Sequence, residues 1–447
     1  MKLKLLIIVV ILFSISNILL CAEKSGADNS PANENADESN KNQESEKYFS
    51  EKPSLKTRFG GNIETGVYLT HEAINSRATI GSINEIRLNA SITYGTLFKV
   101  YIEPMFKGYY GARNNYYLFS RYGVFTQEQT DAYENLKSLG MNTNEQLNID
   151  RGWVQIYKSF FKIRAGKQII AWARAYSYNP TDKINIPNPL DPTALNPGVM
   201  GLTYEFRIFE DFNTNRAMFI TGYFVLQDKL LKNTPAGIKT RFNFGTTEFA
   251  LSYIYEAKED ALYPSGYKRK SHIGFDFFTQ FLGIGFYIET TYRLEQEKDR
   301  DFSSQLLAAV GVSTTFSFKM SMRIEYIYYG PGKTDKSSYA PEKIVAMSNY
   351  FMARHYVFFM FDGDASRIVW FGLSGFFNVV DFSITLIPQI KLTVIENVAV
   401  EIGAFIFMGR DNSEMNGRFT LTDYKTFTPK KTDLAETQVY TKVKVSF

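Results

Sequence analysis

From residue 57 onward, apolar and polar side chains alternate with a period of two over long stretches of the chain. In residues 83–94 (INEIRLNASITY), aliphatic side chains fall on one face while Arg87, Asn89 and Ser91 fall on the other, and residues 282–295 and 318–329 repeat the pattern. Successive residues of a β-strand point to opposite faces, whereas a helix would spread these polar side chains around its axis. The chain is therefore predicted to consist of strands with one apolar face each.

The alternating segments commonly run for 11–14 residues, and the connectors between them alternate between short and long. A soluble β-sandwich also alternates, but its strands are usually about 5–6 residues long, whereas a tilted membrane-spanning strand needs about 9–11. The mean hydropathy of −0.21 with 16% aromatic residues suits strands that meet lipid on one face. Since an open sheet edge in a bilayer leaves backbone groups unpaired, we predict an all-β, closed antiparallel transmembrane β-barrel.

About 18 strands are predicted, with 16 as the alternative count, and an even number places both ends of the barrel on the side of the short turns. The weakest region is 353–381, where the outward connector is very short. The predicted strands are 57–70, 83–94, 98–109, 147–158, 161–170, 199–210, 215–227, 236–244, 247–257, 270–279, 282–295, 304–316, 318–329, 353–362, 367–379, 381–394, 397–409 and 434–447. The main predicted outer loops are 71–82, 110–146, 171–198, 330–352 and 410–433.

Residues 1–22 have the pattern of a secretory signal peptide, with Lys2 and Lys4 before an apolar run at 5–13 and a small residue, Ala22, at a plausible cleavage point. A retained membrane anchor and lipidation at Cys21 are the alternatives. Residues 23–54 are polar and hold few apolar side chains, so a disordered periplasmic tail is predicted there and the barrel is assigned to 55–447.

The residue types needed for most catalytic sites are scarce. The single Cys lies at position 21, so no disulfide is predicted in the mature chain, and the three His residues form no HExxH or other metal-spaced cluster. No GxSxG motif occurs, and the formal charge of +4 is spread along the chain without the basic patches that nucleic-acid binding needs. We therefore expect no enzyme activity, no cofactor, no metal and no nucleic-acid partner.

The chain ends in VYTKVKVSF, with Val443, Val445 and Phe447 on one face. A terminal aromatic residue after alternating apolar residues resembles the signal that the outer-membrane barrel-assembly machinery reads. The resemblance implies location in the bacterial outer membrane, with the assembly machinery and outer-membrane lipid as partners.

Residues 151–168 (RGWVQIYKSFFKIRAGKQ) resemble the strand pair of Gram-negative porins that ends in Gly-Arg/Lys-Gln just before the third outer loop. Here the motif is Gly166-Lys167-Gln168, and 171–198 is also the third outer loop by the strand count. In porins that loop typically folds into the lumen. The stretch 172–197 is also similar to alginate-export-type barrels. The resemblance implies a porin-like channel for small hydrophilic solutes.

Several polar side chains are predicted to face the pore. Loop 171–198 contains five prolines, which stiffen a loop and suit a constriction, although a surface lid is the alternative for this loop. The guanidinium group of arginine can bind a carboxylate through two parallel hydrogen bonds, which suggests a modest preference for anionic or sugar-acid solutes. Alternatively, the charges pair across the wall and only support the barrel. The predicted pore-lining and constriction residues are Arg151, Lys162, Arg164, Gln168, Trp172, Arg174, Asp182, Asp191, Arg241 and Arg323. The predicted lumen acids are Glu64, Glu103, Glu205, Asp276, Glu289 and Glu325.

Two other functions remain open from the sequence. The long outer loops, 110–146 above all, could make the protein a surface adhesin or receptor, and the alginate-export-like stretch could indicate polysaccharide export. Both a monomer and a trimer are compatible with the pattern. The small residues Ala308, Ala309, Gly311 and Ser313 in 304–316 would suggest a subunit interface if they faced lipid.

Overall fold

The structure, a computed structural model, describes residues 54–72, 77–111, 145–172, 174–185, 197–211, 213–226, 234–260, 263–294, 302–339, 351–416, 418–422, 429–433 and 437–447. The predicted signal peptide and Cys21, nearly all of the predicted polar tail, most of loop 110–146 and Asp191 lie outside these residues.

Eighteen antiparallel strands form one closed barrel, and a separate two-stranded hairpin, β18–β19, lies in the last outer loop. The barrel strands are β1 (Leu55–Glu72), β2 (Arg77–Tyr94), β3 (Phe98–Gly111), β4 (Glu145–Lys158), β5 (Phe161–Gln168), β6 (Val199–Asp211), β7 (Arg216–Val225), β8 (Ala236–Phe244), β9 (Thr247–Asp260), β10 (Tyr263–Phe281), β11 (Ile284–Arg293), β12 (Leu306–Thr315), β13 (Met320–Tyr329), β14 (His355–Asp364), β15 (Val369–Asn378), β16 (Ile384–Ile395), β17 (Val398–Met408) and β20 (Gln438–Ser446). The hairpin consists of β18 (Arg418–Thr422) and β19 (Pro429–Asp433).

The barrel closes where the first strand meets the last. β1 pairs with β20 from Asn62↔Ser446 to Thr70↔Gln438, and β20 also pairs with β17. Closure satisfies the backbone hydrogen bonds of every barrel strand, which a membrane-spanning sheet requires. The predicted all-β closed barrel of 18 strands is confirmed, including the short β14–β15–β16 connections in the region that the sequence specified least.

The predicted strand ends need three corrections. β1 and β2 stay in register up to Glu72↔Arg77, so the predicted loop 71–82 shrinks to 73–76. The last strand begins at Gln438 and not at 434, and the predicted loop 410–433 holds the β18–β19 hairpin. Backbone pairing continues beyond the apolar alternation because ladder hydrogen bonds do not need apolar side chains.

The outer surface of the barrel carries the apolar side chains. Ile63, Val67 and Leu69 of β1 are all exposed, as are Val443 and Val445 of β20. In a transmembrane barrel this face meets lipid while the alternate residues face the lumen. Among the described residues, no helix is long and apolar enough to span a membrane.

The small residues of β12 do not form a lipid-facing patch. Ala309 is fully buried and pairs with the inward-facing Glu289, and Gly311 pairs with Glu325 on the same inner face. A Cβ at Gly311 would collide with the Tyr287 ring. The suggested subunit interface at these residues is therefore wrong: Ala309 and Gly311 make room inside the barrel.

Candidate functional site

The third outer loop, residues 169–198 (loop 3), is fastened inside the barrel by two buried glutamates. Glu289 on β11 has no exposed surface. One of its oxygens accepts hydrogen bonds from the backbone N–H groups of Arg174 (2.7 Å) and Ala175 (2.8 Å). The other accepts from the backbone N–H (2.7 Å) and the hydroxyl (2.6 Å) of Thr181. One carboxylate thus holds loop 3 at two separate points.

Glu325 on β13 is also fully buried and binds the segment between those points. Its Oε2 accepts from the backbone N–H of Tyr176 and from the hydroxyl of Tyr287, at 2.8 and 2.9 Å. Its Oε1 accepts from the Ser177 hydroxyl (2.5 Å) and from the backbone N–H groups of Ser177 and Tyr178 (3.2 Å each). Hydrogen bonds to a charged acceptor are stronger than neutral ones, so the two glutamates fix residues 174–181 against the inner wall.

Glycines in the wall let the loop approach the strands closely. A Cβ at Gly237 would stand 2.8 Å from Trp172 and 2.7 Å from Tyr223, and a Cβ at Gly274 would stand 3.0 Å from Thr181. The Lys239 ammonium donates to the carbonyl oxygen of Trp172 at 2.7 Å. Because Gly237 and Gly274 have no side chains, loop 3 can pack directly against the strand backbone at these two positions.

An aromatic cluster joins loop 3 to the outer mouth. The Tyr178 ring packs edge-on against Phe351 (5.3 Å between centroids) and Tyr329 (6.1 Å). Phe351 in turn stacks on Phe376, and the fully buried Tyr356 belongs to the same cluster. The middle of loop 3 is thus anchored on the β11–β15 side of the lumen, while Trp172 at its start packs on β7 and β8.

The first residues of loop 3 and the wall formed by β5–β9 line a cavity of about 420 Å³. Five basic side chains and two acidic ones contribute to its lining. These are Lys162, Arg164, Arg174, Lys239 and Arg241, with Glu205 and Glu248.

Most of these cations have acidic partners. Arg174 forms an ion pair with Glu248, and Lys239 forms one with Asp276. Lys162 and Arg241 share Glu205, at 2.9 and 3.9 Å. The prediction that wall charges pair with one another describes these four residues well.

Arg164 differs from them. Within the described part of the chain no carboxylate lies in ion-pair range of its guanidinium. Its Nε donates to Oε1 of the fully buried Gln155 at 2.6 Å, and the guanidinium lies 4.1 Å from the centroid of the Trp153 ring. The Trp153 ring stacks on Tyr101 at 5.3 Å. This arrangement orients a positive group at the cavity without neutralising it.

Two predicted pore residues are almost fully buried, although Gln168 is also among the residues that line the cavity. Gln168 is 1% exposed, donates to the carbonyl oxygens of Arg164 and Gly201, and accepts from Thr203, so it pins β5 to β6. Asp182 is 3% exposed, and its Oδ1 accepts from the backbone N–H groups of Ile184 and Asn185. Burial raises the pKa of Asp182 to about 6. Its carboxylate therefore does not lie at the lumen edge of loop 3.

Arg151 and Arg323 lie in clusters of their own. Arg151 approaches Asp150 and Glu103 at 3.7 and 4.0 Å, beside the buried Arg87, which binds both acids. Arg323 pairs with Asp362 at 3.3 Å and lies 4.7 Å from the centroid of the Tyr176 ring of loop 3.

A third glutamate, half-buried and not singled out by the sequence, ties the outer loops together. Glu414 accepts hydrogen bonds from the backbone N–H of Met352 (2.9 Å), the Tyr356 hydroxyl (2.5 Å) and the Asn378 amide (2.8 Å). Its own N–H donates to Asp381 at 2.7 Å. Burial raises the pKa of Glu414 to about 7.

In the described residues there is no cluster of three or more His, Cys, Asp or Glu side chains that could hold a metal ion.

No protein-family model matches the chain, and no curated protein does. Among solved structures, OccAB1 of Acinetobacter baumannii is similar at 9% identity and a TM-score of 0.48, over 88% of this chain and 96% of that one. An anion-selective porin from Comamonas acidovorans is similar at 9% identity and a TM-score of 0.40, over 88% of this chain and 100% of that one.

A closed barrel with an apolar exterior pairs every strand edge, as a membrane-spanning sheet requires. The chain has a porin-like β-barrel fold. Sequence alternation predicted which residues of this porin-like barrel face inward, but it did not predict which of them bind loop 3.

Proposed function

We propose that this chain is an outer-membrane channel that lets small hydrophilic solutes diffuse across the membrane with a modest preference for anionic solutes, sugar acids among them. A barrel of 18 strands is too wide for wall side chains alone to fill. The middle of loop 3 is bound to β11 and β13, so the passage is expected to run beside the cavity lined by β5–β9. The observation that carries the anion preference is Arg164 at this 420 Å³ cavity, which has no carboxylate partner among the described residues.

The charges around that cavity support this preference. Fixed positive groups in a water-filled constriction attract anions and repel cations. The planar guanidinium of Arg164 can also offer two parallel N–H donors to a carboxylate, and its position on Trp153 fixes its plane. The predicted lining residues Lys162, Arg174 and Arg241 add to the field, while Glu205 and Glu248 moderate it.

The route to the membrane belongs to the same proposal. The signal peptide 1–22 directs export of the chain. The barrel-assembly machinery then recognises Val443, Val445 and Phe447, and the outer face of the folded barrel contacts lipid. The exposure of all three C-terminal side chains on the barrel surface supports these steps. Both a monomer and a trimer are compatible with the proposal.

The test is single-channel recording of the mature chain, refolded in detergent, across a planar bilayer with a KCl gradient. We expect discrete conductance steps and a reversal potential of the sign that indicates anion preference. Arg164→Ala should move the reversal potential toward zero, whereas Arg207→Ala, which removes an exposed arginine paired with Glu210, should leave it unchanged.

Cation preference in the wild-type channel, or an unchanged reversal potential in Arg164→Ala, would contradict the anion preference. A folded, heat-modifiable barrel that passes no current would contradict the channel itself. It would favour the receptor function, which depends on loop 110–146.

A further inference from the structure

All three tryptophans of the chain, Trp153, Trp172 and Trp370, are associated with the lumen. In membrane proteins Trp is enriched at the outer surface, at the level of the lipid headgroups. Trp153 and Trp172 have their places at the loop 3 cavity. Trp370 lies elsewhere, at the inner end of β15, where its ladder neighbours are Asp364 and Lys391.

Trp370 lines a second cavity of about 330 Å³ at the inner mouth of the barrel. Pockets that bind small molecules begin at about this size. The side chains that line it carry two positive and two negative charges, and the Lys442 ammonium lies 3.8 Å from Oε1 of the lining Glu401. The residues that define it are Asp364, Arg367, Trp370, Gln389, Lys391 and Glu401.

One face of the Trp370 ring is occupied by the wall. The ring lies over Gly372, where a Cβ would stand 2.6 Å from the Cη2 atom of the indole. Trp370 is nevertheless only half-buried, and its side chain lines the cavity. No residue in the described ranges accepts a hydrogen bond from its indole N–H. A flat apolar platform thus lies beside groups that can donate and accept hydrogen bonds.

The acidic partner opposite the platform is held in place by a hydrogen-bond chain. Gln389 Nε2 donates to the Tyr440 hydroxyl at 2.7 Å, and that hydroxyl donates to Oε1 of Glu401 at 2.9 Å. Tyr440 is 1% exposed, so the chain is protected from competing water. Oε2 of Glu401 faces no donor in the described residues and remains an acceptor, while Lys391 on the neighbouring strand is a donor.

We propose that this cavity is a binding site for a neutral, hydroxylated ring, that is, a single hexose unit. The C–H face of such a ring is apolar and can lie on the Trp370 indole, while its hydroxyl groups can donate to Glu401 and accept from Lys391. The lining carboxylates of Asp364 and Glu401 repel an anion, which gives a neutral ring an advantage. The inference deepens the proposed function, since it assigns the channel a solute class and a site at the inner mouth.

The test is equilibrium binding of glucose to the folded, detergent-solubilised mature chain, measured by calorimetry. We expect saturable binding that Trp370→Leu weakens by about tenfold or more and Trp370→Phe weakens much less, because the aromatic face provides the contact. Trp153→Leu, the matched change at the other cavity, should leave glucose binding unchanged. Heat-modifiable migration on a gel identifies variants that have folded.

Absence of saturable glucose binding by the folded wild type, or equal binding by wild type and Trp370→Leu, would overturn the site. Tenfold tighter binding of glucuronate than of glucose would overturn the neutral class. Binding and conduction fail independently: a barrel that conducts but binds no glucose refutes this inference alone, and a barrel that binds glucose but passes no current refutes the channel alone.

Discussion

Replacement of Glu325 by Gln should release the middle of loop 3. The two side chains have nearly the same shape, so the change leaves packing intact and alters only the hydrogen bonds and the charge. Glu325 accepts five hydrogen bonds, from Tyr176, Tyr178 and Tyr287 and from both the N–H and the hydroxyl of Ser177. An amide nitrogen in place of one oxygen cannot accept any of them and turns its own N–H groups toward the loop donors.

The magnitude follows from the number of bonds at one oxygen. If the amide nitrogen takes the place of Oε2, which is the smaller loss, the bonds from Tyr176 and Tyr287 disappear. Tyr287 lies on β11 in the wall, so only the Tyr176 bond joins loop 3 to this oxygen. A hydrogen bond to a charged group contributes about 1.5–3 kcal/mol, so docking of this segment should weaken by at least that amount. The contacts of Glu289 with Arg174, Ala175 and Thr181 remain, which confines the release to residues 176–178.

Amide hydrogen exchange followed by mass spectrometry measures this release directly. Local opening controls exchange of buried amides, and about 1.5–3 kcal/mol corresponds to roughly ten- to hundredfold faster exchange. Glu325→Gln should therefore accelerate exchange in a peptide covering 176–178 by at least about tenfold. Single-channel current should become noisier, because the freed segment moves in the passage.

Glu64→Gln provides the matched control, since Glu64 lies on the inner face of β1 and no described residue of loop 3 bonds to it. Exchange of residues 176–178 should be the same in Glu64→Gln and the wild type. Equal exchange in Glu325→Gln and the wild type would refute the reasoning that this carboxylate holds loop 3.

Two further predictions concern the outer loops and the contact of loop 3 with β8. Burial raises the pKa of Glu414 to about 7, so the docked loops bind its proton more tightly than the undocked chain does. The free energy of unfolding should therefore be highest in acid and fall by about 3 kcal/mol as the pH rises from about 4.5 to 7. Glu414→Gln should remove this dependence, and an unchanged pH profile in that variant would contradict the assignment. Gly237→Val should displace Trp172 from its contact with β8 at a cost of about 1–3 kcal/mol and accelerate hydrogen exchange at 169–172. Gly237→Ala should have an intermediate effect. Equal exchange in the wild type and both variants would show that the glycine is not needed there.

Much of the barrel could be predicted because a membrane-spanning strand alternates apolar and polar residues along its own sequence. Residues 282–295 and 318–329 alternate so regularly that each inward side chain follows from its neighbours, and Glu289 and Glu325 were placed in the lumen on that basis. The Gly166-Lys167-Gln168 motif and the strand count both placed loop 3 after β5. For Arg164, alternation also gave the correct face.

Alternation is less useful where the sequence is not regular. The small residues of 304–316 look alike on both sides of the strand, and register alone decides that Ala309 and Gly311 face inward, because a shift of one residue reverses every side chain. Similarly, the acidic face of β10–β13 resembles an exposed pore wall in sequence, although loop 3 covers it.

The sequence by itself determined the strands, their two faces and the parity of the loops, because each depends on residues within about a dozen positions of one another. The tertiary structure alone decided that Glu289 and Glu325 bind a loop more than 100 positions away and that Asp182 is buried. It also decided that no described carboxylate pairs with Arg164. These outcomes depend on which groups meet across the lumen. Hydrogen bonding and desolvation at those contacts cannot be predicted from the alternation of apolar and polar residues along the sequence.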